Sequence, residues 1–273
     1  MNSIAVTNQK GGVGKTTTTA ALGAILANQG WNVLLVDLDP QASLTQMLGM
    51  QANGKCLAEV LGGVEEGTVS LKEIIQPVRD GLSLAPSHLR LSASELGLVQ
   101  RWGRESLLKK ALDGLTGYYD VVLMDCPPSI GMLTANGMVA AQSVIIPSLP
   151  SEADLWGVDL LLNTLERLKS ERLNPDVDLL GILVVQFDGR TKEHNRVLKV
   201  LDGEDHPVIG VIPRSVKAQE AVTAKQPVTE YAPSSKPSLA YFAVAEKVAA
   251  WLNQNRSSEA FLRELNLGEV LTK

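Results

Sequence analysis

Apolar residues in this chain fall into short continuous runs, separated by longer amphipathic stretches, and the two alternate from end to end. The runs are Ile4–Thr7, Val33–Val36, Leu82–Leu84, Val121–Met124, Val144–Ile146, Leu180–Val185 and Val208–Ile212. Continuous Val/Ile/Leu runs, without polar alternation, suit strands buried on both faces of a parallel sheet. Helical patterns lie between them. Thr16–Asn28 is rich in alanine and closes at Gly30; Glu105–Leu112, Val158–Leu168 and a stretch near His194–Leu201 follow, and Ser238–Leu252 is the longest. The alternation predicts a doubly wound α/β fold with a mostly parallel sheet flanked by helices. No tandem repeat, low-complexity tract or linker interrupts it. One domain is therefore expected over residues 1–273, with 254–273 as a C-terminal helical tail.

Composition narrows the function classes. The chain has 273 residues, 45% hydrophobic and 20% charged, which is ordinary for a globular protein with a substantial core. The net charge of −5 gives no global polycation signal for nucleic acid. The charge is unevenly spread, however. Residues 186–273 carry 12 Lys/Arg against 11 Asp/Glu, and residues 1–185 carry 13 against 19, so an anion-binding face is expected toward the C-terminal third. Cys56 and Cys126 are far apart and give no disulfide framework. His88, His194 and His206 are scattered without metal-ligand spacing. The N-terminus lacks a basic, apolar, cleavable signal, and no apolar run approaches the roughly 20 residues that span a bilayer. A cytoplasmic protein is the expectation.

The candidate chemistry begins at residue 10. Lys10-Gly11-Gly12-Val13-Gly14-Lys15-Thr16-Thr17 follows the first strand-like run and precedes a helical pattern. This is the context of a phosphate-binding loop. Consecutive glycines let backbone N–H groups turn inward around a polyphosphate, and the following helix points its positive end at the same charge. Lys15 would reach the β- and γ-phosphates and the Thr16 hydroxyl would bind Mg²⁺. The general motif places glycine five residues before Gly14, but Gln9 stands there and a second lysine, Lys10, opens the loop. That lysine could fold back onto the phosphates or cross to the nucleotide of a partner subunit.

Acids stand at the ends of two apolar runs, in Val36-Asp37-Leu38-Asp39-Pro40 and in Met124-Asp125-Cys126-Pro127-Pro128. Ligands of open α/β sheets bind outside the carboxyl ends of the strands, so these carboxylates are expected to converge on the phosphate loop. Mg²⁺ prefers octahedral oxygen ligands and keeps several waters, so few protein contacts suffice. Cys126 has no local base to activate it and reads as a small apolar filler.

With these residues in place the chain resembles a known family. Asn8-Gln9-Lys10-Gly11-Gly12-Val13-Gly14-Lys15-Thr16-Thr17 looks like the deviant Walker A loop of the ParA/MinD ATPases, with the ParA branch the closer match. The resemblance implies an ATPase with ATP and Mg²⁺ as cofactors, and it gives Lys10 contact with nucleotide across an ATP-sandwich homodimer. It makes Asp125 a Walker B aspartate holding Mg²⁺ or its waters, with Asp37 supporting the same shell. Asp39 would orient or activate the attacking water, so Lys10, Lys15 and Asp39 are the catalytic candidates. Ile212-Pro213-Arg214-Ser215-Val216-Lys217 resembles the segment that lines the adenine, which adds Pro213 and Arg214 to the nucleotide site. Pro147 with Glu152, and Ser87 with Leu91 and Glu95, fit the family's spacing, while the region from Met50 to Leu82 is less recognisable.

The output of such an ATPase is a separate question. Arg190, Lys192, Arg196 and Lys199 fall within residues 186–199, and Arg214 and Lys217 follow. Lysines and arginines on one face bind phosphates without sequence preference. Asp188-Gly189-Arg190-Thr191 resembles a ParA segment whose arginine contributes to DNA binding, and Arg214 is similar. No aromatic platform is interleaved for base stacking. The expected partners are nonspecific DNA, giving nucleoid association, and a ParB-like or other cargo adaptor that stimulates hydrolysis.

Two other outputs are open to such a fold. A MinD-like membrane-associated positioning ATPase would need a basic amphipathic tail. Residues Glu259–Lys273 could form a short helix bearing Phe261, Leu262, Leu265, Leu267, Val270 and Leu271, but Arg263 and Lys273 face Glu259, Glu264 and Glu269. That balance suits anionic lipid poorly, so packing on the body or a partner is expected. A metal-cluster carrier on this fold would need paired interface cysteines, which Cys56 and Cys126 do not supply. The chain starts almost at the loop, leaving no room for the operator-reading helix-turn-helix of longer ParA relatives, so autoregulation is not expected.

Overall fold

A computed structural model describes every residue except 63–68, 100, 204–205 and 271–273, and of 257–270 it gives the backbone alone. Eight strands form one sheet: β1 (Asn2–Val6), β2 (Val33–Asp37), β3 (Gln76–Arg79), β4 (Leu82–Ala85), β5 (Val121–Asp125), β6 (Ser143–Ser148), β7 (Asp178–Phe187) and β8 (Val208–Pro213). Their order is β3-β4-β2-β5-β1-β6-β7-β8. All neighbours pair parallel except β3 on β4.

Side chains of the parallel strands alternate between two cores. Leu34, Val36, Val122, Met124, Val144 and Ile146 join one cluster. Leu35, Val121, Leu123, Ile145 and Leu183 join the other. Both faces are dry, which is why these strands read as unbroken apolar runs. The helix Lys15–Asn28 and the start of the helix Lys236–Val270 supply residues to the second cluster. The helices Leu107–Asp113, Met132–Ala140, Glu152–Ser170 and Lys192–Gly203 supply the first.

Several elements differ from expectation. The antiparallel edge strand β3 carries Gln76-Pro77-Val78-Arg79, which has no apolar run to announce it. The helix Met132–Ala140 was not expected; it is apolar on most sides and buried at six positions, so no amphipathic period marks it. The helix Arg90–Leu98 was missed as well. The helix expected over Val158–Leu168 runs over Glu152–Ser170, since its first turn is polar and lies outside the apolar pattern. The last helix runs unbroken over Lys236–Val270 rather than ending before a separate short tail helix. The expected contacts of the tail side chains lie outside the described residues.

Candidate functional site

Parallel pairing places the loops of this site side by side. Val6 of β1 lies in register with Asp125 of β5, and Asp125 lies in register with Asp37 of β2. The phosphate-type loop therefore leaves the sheet beside the two strand-end acids. Gly12 (φ +75°) and Gly14 (φ +78°) hold left-handed backbone that other residues adopt at a cost. A Cβ added at Gly11 or Gly12 would meet nothing within 4 Å, so the loop is uncrowded at these two residues. The helix Lys15–Asn28 has Gly14 as its N-cap and no side-chain cap, which leaves its first N–H groups available to an anion. Val13 is fully buried, so it can offer a ligand only its backbone.

The two lysines have different settings. Lys15 Nζ donates to the Lys10 carbonyl oxygen at 2.9 Å, and burial lowers its pKa, opposed chiefly by the charge of Asp125. Lys10 does not line the cavity described below; its Nζ pairs with Asp154 Oδ2 at 2.8 Å.

The acids form a graded set. Asp37 is buried, and its Oδ2 accepts from Thr45 N (2.8 Å) and Thr45 Oγ1 (2.7 Å) while its Oδ1 accepts from Asp39 N (3.2 Å). Burial raises its pKa to about 7 despite those bonds. Asp125 is fully buried and neither of its oxygens has a hydrogen-bond partner. Burial, then the charge of Asp37, raises its pKa well above the carboxylate range, and nearby Thr16 and Lys15 offset only part of this. A buried carboxylate with two idle oxygens is costly unless a cation or its waters complete it. Thr16, Asp37 and Asp125 thus fit an Mg²⁺ site. Among the described residues no group of three or more His, Cys, Asp or Glu is arranged to hold a metal unaided. That is compatible with an ion held mainly by phosphate oxygens and water. Cys126 is buried and its thiol is pushed up to about 12, so it is an inert filler.

A cavity of about 580 Å³ continues from the loop. Gly11, Gly12, Gly14, Lys15, Thr16, Thr17 and Asp39 line it, together with Ile212, Pro213, Arg214, Val216 and Val222. Its size suits a nucleotide, and its lining combines loop and charged groups for phosphates with apolar side chains for a base. Sequence reasoning missed four residues here. Thr45 holds Asp37, and Asp154 holds Lys10. Tyr241 lines the cavity and shares a 3.1 Å hydrogen bond with Thr18. Gln186 lines it too and donates to the Gly12 carbonyl oxygen at 2.9 Å. No local motif marks these four: Thr45 meets Asp37 from 8 residues further on, and the other three act across separations of 144 residues or more.

The basic residues lie around one corner of this edge. β7 and β8 are parallel neighbours with Phe187 opposite Pro213, so Arg190 and Arg214 leave the sheet on adjacent loops. Arg190 is 91% exposed and chelated by Asp188, with Nε–Oδ1 of 3.0 Å and Nη2–Oδ2 of 2.8 Å. Lys192 and Lys199 are exposed on the helix Lys192–Gly203; Arg196 pairs with Glu152 and Lys217 with Glu220. Exposed pairs of this kind are worth little.

A family profile described as an AAA domain matches residues 1–179. The chain is 40% identical over 251 residues to the chromosome-partitioning ATPase Soj of Thermus thermophilus, spanning 90% of this chain and 95% of that protein. It belongs to the ParA/MinD family of ATPases. Solved structures of the family share its fold. A Mycobacterium smegmatis protein described as cobyrinic acid a,c-diamide synthase, with bound ATP analogue and magnesium, is 39% identical with a TM-score of 0.77, over 90% of this chain and 93% of that one. The septum site-determining protein MinD of Pyrococcus horikoshii, complexed with Mg-ADP, is 25% identical with a TM-score of 0.74, over 90% and 95%. These neighbours place the family's nucleotide on the same fold. Their differing names show that the fold does not itself name the output. Among the described residues, no helix is long and apolar enough to cross a membrane.

Proposed function

We propose that the chain is a partition or positioning ATPase that binds ATP with Mg²⁺, closes as a homodimer around it, and holds nonspecific DNA in that state. The observation that carries the nucleotide half is the orphaned Asp125 beside Thr16 and Asp37 at the mouth of a glycine loop uncrowded at Gly11 and Gly12. The family's named neighbours, bound to an ATP analogue or ADP with magnesium, support it. Mg²⁺ held near Thr16 and Asp125 supplies charge neutralisation on the phosphates. Lys15 exchanges the Lys10 carbonyl for a phosphate oxygen. Thr45 fixes the rotamer of Asp37 through two bonds to one oxygen. Asp39 faces the cavity, half-buried, where it can orient a water in line with the terminal phosphate. Lys10 lies outside its own cavity, which supports a role on a partner's nucleotide.

The DNA half rests on Arg190, Lys192, Arg196, Lys199, Arg214 and Lys217 around the β7–β8 corner, with an adaptor protein stimulating hydrolysis and releasing the dimer. The whole chain is read as one ATPase unit. Binding to nonspecific duplex DNA, measured with no nucleotide, ADP and a slowly hydrolysed ATP analogue, tests this, with anionic liposomes in parallel. ATP-selective DNA binding that weakens steeply with salt and is lost in Arg190→Ala is the expected result. ATP-selective liposome binding without DNA binding would replace it with the membrane-positioning reading.

A further inference from the structure

Gln186 is one of four non-glycine residues with a left-handed backbone among the described residues, at φ +54°. It stands near the end of β7, where the β7–β8 register shifts between Val184 and Phe187. A left-handed glutamine inside a strand stores strain that the surroundings must hold in place. The side chain does so in one direction: Nε2 donates across the cavity rim to the carbonyl oxygen of Gly12 in the phosphate loop, at 2.9 Å. That carbonyl belongs to a residue itself held at φ +75°.

The residues after Gln186 form a short relay. The Phe187 carbonyl accepts Arg214 N at 2.9 Å, tying the two arginine-bearing loops together. The Phe187 ring stacks obliquely on His194 with centroids 5.9 Å apart. His194 Nδ1 accepts Asp188 N at 3.0 Å, and Asp188 chelates Arg190 through its side chain. One strained residue thus joins the phosphate loop to both segments, 187–191 and 214–215.

We infer that Gln186 is a positioning residue that transmits occupancy of the phosphate loop to the Arg190 and Arg214 segments. Phosphate bound in the loop fixes the Gly12 peptide, and Gln186 follows that peptide because its carboxamide is bonded to it. The backbone strain at Gln186 makes the segment responsive, since a shift of the side chain bears directly on a conformation held against its preference. Among the described residues no other side chain on β7 or β8 bonds to the phosphate loop. The consequence for DNA rests on the function proposed above; the relay itself does not.

The test is hydrogen–deuterium exchange on the full chain, with and without the slowly hydrolysed ATP analogue and Mg²⁺, in wild type, Gln186→Met and Gln186→Asn. Methionine keeps the length and removes the donor. Asparagine keeps a carboxamide and accepts left-handed backbone well. In wild type the analogue is expected to slow exchange in residues 11–17 and also in 187–191. With analogue raised until each protein is saturated, whatever its affinity, Gln186→Met is expected to keep the protection of 11–17 and lose that of 187–191, while Gln186→Asn keeps part of it. In parallel, the ratio of DNA affinity with analogue to that with ADP falls at least about fivefold in Gln186→Met. Equal protection of 187–191 in wild type and Gln186→Met overturns the inference, as does a wild type whose 187–191 segment ignores the analogue. Loss of protection at 11–17 in Gln186→Met also overturns it, since Gln186 would then only support the loop. If no variant binds DNA but the exchange pattern holds, the relay stands and the DNA output falls.

Discussion

Lys10 Nζ lies 2.8 Å from Asp154 Oδ2, and the two side chains differ in accessibility, 49% exposed for the lysine and 1% for the aspartate. The carboxylate is the fixed partner. Ser151 Oγ donates to the same Oδ2, while Oδ1 has no partner. Asn8 braces the other end, accepting Lys10 N at 3.0 Å and donating to the Pro147 carbonyl at 2.7 Å. The start of the phosphate loop is therefore docked on the end of β6 and the helix that follows it. A lysine that serves another subunit's nucleotide must first leave this seat.

That geometry separates two effects of Lys10→Ala. Removing the lysine leaves a buried carboxylate with Ser151 alone, which should cost about 1–3 kcal/mol of stability. It should also abolish most partner-stimulated hydrolysis while leaving much of the nucleotide binding. Adding Asp154→Asn removes the stranded charge, so the double variant recovers part of the stability and none of the stimulated rate. Denaturation midpoints and turnover measured on the same preparations check this. A double variant that regains turnover would mean that Lys10 matters only as the partner of Asp154.

Asp39 lines the cavity from the turn after β2, with Oδ1 accepting Gln41 N at 2.9 Å. Its role is expected to be confined to the hydrolytic water. Asp39→Ala should bind ATP with near-normal affinity, lower turnover by at least about a hundredfold, and accumulate ATP-bound dimers. Rapid loss of bound ATP from this variant would remove Asp39 from the reaction.

Asp37 gives the pH dependence. Its pKa is raised from about 3.9 in an unfolded chain to about 7 by burial. The native state then holds a proton that the unfolded state has released, so this group's contribution is present at low pH and lost as pH climbs from about 4 to about 7. The slope approaches 1.4 kcal/mol per pH unit when the difference is fully developed. Without nucleotide or Mg²⁺, urea midpoints should fall for wild type between pH 5 and pH 7.5, and fall less for Asp37→Asn. Parallel curves for the two proteins would show an ordinary Asp37.

The legible parts of this molecule were the local ones. A glycine loop between an apolar run and a helical pattern, and acids at the ends of apolar runs, occupy a few consecutive residues each. Parallel register then brings Asp37, Asp125 and the loop together. Residues that act across the sheet were not legible. Asp154 meets Lys10 over a separation of 144 residues, and Gln186 meets Gly12 over 174. Neither carries a motif at its own position. The edge strand β3 escaped because one partner and partial burial require no apolar run. The helix Met132–Ala140 escaped because a helix buried on most sides loses its period.

The approach of the last helix to the sheet gives the final prediction. Gly210 lies in β8, and a Cβ built on it would sit 2.4 Å from Val244 Cγ2 and 3.2 Å from Leu183 Cδ1. Val244 is buried and β-branched, with few rotamers to retreat into. Gly210→Ala must therefore push the helix Lys236–Val270 away from β8, at a cost of about 1–3 kcal/mol for overpacking. The same helix carries Tyr241, whose hydroxyl meets Thr18 on the phosphate-loop helix at 3.1 Å. The displacement should then weaken nucleotide affinity as well as stability. Val244→Ala makes room for the new methyl group and should restore both in the double variant. A Gly210→Ala protein with wild-type midpoint and affinity would show that the helix and β8 are not packed this closely.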